Sequence, residues 1–95
     1  MELVIDPIPL LLELSDRHLP PGLAETLAAI TGLTVSWTAV GVLLHVPARQ
    51  QLPYTLRNCP ATMAAILRYA RSLGCDYVLI GPDADIDQAL PAWDQ

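Results

Sequence analysis

Apolar residues recur along this chain with two different periods, and the changes of period mark its elements. The run LLLEL at 10–14 is apolar on both faces except at Glu13 and reads as a short strand; Pro7 and Pro9 keep it from starting earlier. Leu23, Leu27 and Ile30 share one helical stripe, with Pro20 and Pro21 suited to the start of that helix and Gly32 to its C′ position. In LTVSWTAVGVLLHV, Val35, Trp37 and Ala39 alternate with Thr34, Ser36 and Thr38, which predicts a pair of strands broken near Ala39–Gly41. PARQQLPYTLRN reads as a polar, proline-flanked loop. PATMAAILRYARSLG then opens a helix at Pro60, gathers Met63, Ile66, Leu67, Ala70 and Leu73 on one face, sets Arg68 and Arg71 on the other, and closes at Gly74. DYVLI is mostly apolar on both faces, so it is expected as a central strand.

The resulting order, β-α-β-β-α-β, predicts an α+β protein. The simplest architecture is a ferredoxin-like plait: a four-stranded antiparallel sheet, two helices on one face and the other face open. Ninety-five residues support one core, so residues 1–95 form one domain, with 82–95 as an acidic turn and tail. The apolar fraction of 53% and charged fraction of 16% depart from the roughly 45–50% and about 25% of ordinary domains. That surplus places apolar area on the surface, where a second copy or another protein would cover it; a homodimer is expected.

Ten acidic and five basic residues leave a formal charge of −5, and every basic residue is an arginine. Direct nucleic-acid binding, which needs a dense basic surface, is not expected, and neither is Schiff-base or P-loop lysine chemistry. No cofactor motif is visible. Cys59 and Cys75 are expected as reduced thiols. The first residues carry Glu2 and Asp6 but no basic n-region. The longest uncharged apolar stretch, GLTVSWTAVGVLLHVP, is shorter than the roughly 18–20 residues of a spanning helix. A cytoplasmic protein without membrane contact is therefore expected.

Candidate chemistry concentrates in GPDADIDQ. Asp83, Asp85 and Asp87 alternate as the first oxygen ligands of a calcium loop do, and Asp94 falls where the last ligand would stand. Against this, Gln88 occupies the position that needs glycine, Pro91 stiffens the second half of the loop, and the bidentate glutamate is missing. A divalent-metal-binding protein or small metal-dependent hydrolase using these three aspartates is the alternative reading. Ser15, Asp16 and His18 lie too close along one loop to converge as a catalytic triad. The spacing of His18, His45, Cys59 and Cys75 matches no zinc finger. Trp37 and Tyr69 are expected in the core or an interface.

The broader feature is that Asp76, Asp83, Asp85, Asp87 and Asp94 stand in a segment without a basic residue, interleaved with Tyr77, Leu90 and Trp93. Such a segment steers a basic partner by charge and anchors it by aromatic contact. Asp76, Asp83, Asp85, Asp87, Trp93 and Asp94 are the expected partner-binding residues.

LSDRHLPPGLAETL, LRYARSLGCDYVLIGPDAD and the closing LPAWD together resemble a family of small uncharacterised proteins carried on bacterial plasmids and integrative elements. The resemblance rests on Ser15, His18, Ala70, Arg71, Gly74, Cys75, Asp76, Tyr77, Asp83, Asp85, Leu90 and Pro91. The chain departs from the pattern where Trp93 precedes Asp94 instead of coming after it. The resemblance implies a mobile-element setting. There, the expected role is a non-catalytic accessory protein whose acidic face occupies the nucleic-acid groove of a basic, nucleic-acid-binding host defence protein.

Overall fold

A computed structural model describes residues 10–93; the features read in residues 1–9 and at Asp94 lie outside them. Four strands appear where the apolar pattern places them: β1 (Leu11–Ser15), β2 (Thr34–Thr38), β3 (Gly41–His45) and β4 (Tyr77–Gly81). Two α-helices, α1 (Leu52–Arg57) and α2 (Ala61–Ser72), lie between β3 and β4. The α+β class and the four-stranded sheet agree with expectation. The plait does not describe the sheet, whose order is β1-β4-β3-β2. It is mixed rather than antiparallel throughout: β1 runs parallel to β4, while β3 is antiparallel to both β4 and β2.

The reason lies in the segment read as a loop. His45, the end of β3, sits opposite Tyr77, the start of β4. The chain therefore leaves and re-enters the sheet at the same end. A helix of 12 residues such as α2 travels about 18 Å one way, so something must first carry the chain back. Residues 47–60, containing α1, do so. Pro53 sits in the first turn of α1, where its missing N–H is harmless, and six residues are too few to show a helical period.

The first predicted helix is a 3-10 helix, Ala24–Ala29. Thr26 bonds back to the Leu23 carbonyl through both its N–H and its hydroxyl, which favours the tighter i→i+3 pattern. Its stripe still points inward: Leu27 and Ile30 are buried and Leu23 packs against the core. Pro60 is the N-cap of α2, and Gly74 takes the left-handed conformation two residues after it ends.

Alternation divides the sheet into two faces. Leu14, Val42, Leu44, Val78 and Ile80 point to the core with Met63, Ile66, Leu67 and Ala70 of α2. The other face carries Leu11, Glu13, Leu43, His45, Tyr77 and Leu79, none of them fully buried. There His45 and Tyr77, paired across β3 and β4, stack at 5.1 Å. Trp37 belongs to neither interior: on the edge strand β2 it is 61% exposed.

Arg71 ties α2 to the sheet. Its guanidinium donates to the carbonyls of Val46 and Pro47 at 3.1 and 3.0 Å and meets Asp76 at 3.4 Å. Its Nε is buried without a partner.

Candidate functional site

Beyond the end of β4 the chain carries three aspartates, 83, 85 and 87, which do different things. Asp83 and Asp85 are exposed. Asp87 turns inward, where one carboxylate oxygen accepts the Tyr69 hydroxyl at 2.8 Å and the other the Ala89 N–H at 2.9 Å. Its own N–H donates to His18 Nε2 at 2.9 Å. His18, 1% exposed, donates in turn from Nδ1 to the Pro91 carbonyl at 2.8 Å. One imidazole thus holds the tail at two backbone points, and those bonds set its tautomer: proton on Nδ1, lone pair on Nε2. The Trp93 N–H adds a bond to the Arg17 carbonyl at 2.7 Å, and Leu90 packs against the core.

The tail is therefore a docked strap. Within the acidic segment, Asp87 and half-buried Trp93 take part in holding it, and Asp76 has Arg71 as a counter-charge. Asp83 and Asp85 remain exposed, and Asp94 lies outside the described residues. Ser15, next to His18, accepts the Arg17 N–H and caps the 3-10 turn Asp16–His18. Cys59 and Cys75 are free thiols, and burial pushes the Cys59 pKa up. Among the described residues no three His, Cys, Asp or Glu side chains gather closely enough to hold a metal ion. That applies to the Asp83, Asp85 and Asp87 set and to the two histidines with the two cysteines.

A residue the acidic pattern passes over completes the surface. Glu13 lies on β1 opposite Leu79 of β4. With Asp83 it borders a cleft of about 240 Å³ whose apolar lining is Val40, Leu79 and Ala84. A second hollow of about 370 Å³ continues from Glu13 and Asp83 past Asp85 and Ile86 to Asp87. The signal was present in the chain as a lone carboxylate within LLLEL.

Residues 11–95 match the C-terminal domain of DUF5983, a family of unknown function. The chain belongs to that family. No curated protein and no solved structure matches it. In this DUF5983 domain the strap and the cleft therefore have to be read from their own chemistry. No helix among the described residues is long and apolar enough to cross a membrane.

The strap carries a pH signature. The Ala89 N–H and the Tyr69 hydroxyl hold the Asp87 carboxyl below the usual carboxylate range. A carboxyl with a depressed folded pKa contributes stability that is complete above its unfolded pKa and is lost as pH falls through the folded value. Urea midpoints of the wild type should therefore fall as pH drops below about 4, and Asp87→Asn should flatten that fall. Equal acid slopes in the two proteins would mean that Asp87 is not held as described. The Asp87 bond raises the Tyr69 pKa, so stability from that side is present at neutral pH and is lost as pH rises through the raised phenol value.

Proposed function

We propose that this domain acts by binding a basic protein rather than by catalysis, and that the cleft bordered by Glu13 and Asp83 receives the partner's anchor residue. The observation that carries this is the pairing of two carboxylates with an apolar lining of Val40, Leu79 and Ala84. An arginine or lysine fits such a place: its methylene stem lies on the apolar wall and its cation meets the carboxylates. Exposed Asp85 and the hollow beyond it extend the negative field that guides the approach. On the same sheet face as Leu79, Leu11 and Leu43 supply further apolar area for a partner to cover.

The partner this chemistry fits is a host protein with a basic nucleic-acid-binding surface. The role is that of an accessory protein of a mobile element occupying the surface. Glu13→Gln, Asp83→Asn and Asp85→Asn combined should slow association with that partner by about tenfold at low salt and flatten its salt dependence. Wild type and triple variant, immobilised side by side and exposed to host lysate, would be compared by mass spectrometry and then by surface plasmon resonance. Basic proteins retained by the wild type and lost by the variant support the reading. The same proteins binding both with the same on-rates overturn it.

A further inference from the structure

Four of the chain's five basic side chains meet at one place far from the acidic strap in sequence. Arg49, Arg57, Arg68 and Arg71 surround a groove of about 530 Å³ between α1 and α2, with Leu52, Pro53 and Leu56 as its apolar wall. In a chain of net charge −5 such a gathering is not an average property of the surface. Arg71 is committed to the Val46 and Pro47 carbonyls and to Asp76. Arg49, Arg57 and Arg68 are exposed and make no ion pair among the described residues. Among the described residues the Arg57 side chain donates to the Pro53 carbonyl of its own helix at 3.4 Å. Like charges around one hollow repel one another weakly in water, and an anion lying between them would turn that repulsion into attraction.

We propose that this groove binds a small phosphomonoester of nucleotide size, with Arg49, Arg57 and Arg68 on the phosphate and the rest of the molecule against Leu52, Pro53 and Leu56. Three points favour this ligand. The guanidinium fork matches phosphate oxygens in bidentate geometry and also stacks on flat rings. A lone carboxylate would occupy one such fork, whereas a phosphate dianion presents enough oxygens for three. The volume falls within the roughly 300–1,000 Å³ range of small-molecule sites, and the apolar wall suits a ligand body that is not itself charged. This site is separate from the acidic cleft, so the two stand or fall independently.

Calorimetric titration of the full chain at constant ionic strength tests the proposal, with adenosine monophosphate, adenosine and inorganic phosphate as probes. Adenosine monophosphate should bind at least tenfold more tightly than either fragment. Arg49→Gln, Arg57→Gln and Arg68→Gln should each weaken it about tenfold, as loss of a charge-assisted bond does, and the triple variant should not bind. All three are exposed positions, so circular dichroism should show an unchanged fold. Absence of binding by the wild type at millimolar nucleotide, equal affinity for nucleotide and inorganic phosphate, or unchanged affinity in the triple variant would each overturn it. A 5′-phosphorylated oligonucleotide binding far more tightly than the mononucleotide would also overturn it, in favour of a nucleic-acid end.

Discussion

His18→Ala is expected to lower the midpoint of thermal unfolding by about 10–20 °C, the equivalent of about 3 kcal/mol in a domain of this size. The imidazole is buried and its two nitrogens are both used, one on the Pro91 carbonyl and one on the Asp87 N–H. Alanine removes both bonds, strands two backbone groups at roughly 1–3 kcal/mol each if they stay dry, and leaves a hollow beneath the strap. Relaxation of the strap towards water recovers part of that cost, so hydrogen exchange at residues 87–93 should rise first. His18→Asn provides the internal control. Its amide can reproduce the donor near Nδ1 but not the acceptor at Nε2, so it should lose less than alanine while still freeing the Asp87 N–H. A loss below about 1 kcal/mol for His18→Ala, with exchange unchanged at the tail, would mean that Leu90, the Trp93 backbone and the Tyr69–Asp87 bond hold the strap without His18.

Gly41→Ala should cost about 3 kcal/mol or more, because it combines two faults. Gly41 holds φ at 145°, which side chains avoid. A Cβ there would also drive into the Ile80 carbonyl and lie 2.9 Å from the Gly81 Cα. Gly81 faces the same crowding from the other side, since its Cβ would meet the Val40 carbonyl. The two glycines let the β2–β3 hairpin approach the end of β4, beside the wall that Val40 and Leu79 give to the acidic cleft. Urea unfolding checks the cost. A midpoint shift equivalent to less than about 1 kcal/mol would show that the strand ends separate cheaply.

Much of this fold is written in the periodicity of the chain. The strand at Thr34–Thr38, the apolar run at Tyr77–Gly81 and the stripe of Met63, Ile66, Leu67 and Ala70 on α2 each survive because a strand or long helix repeats its signal several times, whereas Leu73, expected on that stripe, falls just past the helix and is exposed. The short α1 repeats nothing, so Gln51–Asn58 read as loop. The 3-10 helix shares its inward stripe with an α-helix and differs only in which carbonyl each N–H reaches. Strand order escaped for the same reason as α1, since one unrecognised reversal turns β4 around and moves β1 to the edge. The candidate sites were legible in part. Asp83 and Asp85 are exposed, as an acidic turn requires. The inward turn of Asp87 depends on bonds from residues far away in sequence, and the arginine groove joins three segments that no linear pattern connects.

The strand in the middle of the sheet, β4, is also the last to occur along the chain, and the His18–Asp87 bond closes a separation of 69 residues. Until β4 is placed, β1 has no neighbour in the sheet and the β3 side of the β2–β3 hairpin is unpaired as well as its β2 edge. Order in this protein therefore arrives late and together: pairing β4 closes the longest loops, completes the sheet and seats the strap. That ties its folding speed to long-range closure, in the slower class of small domains.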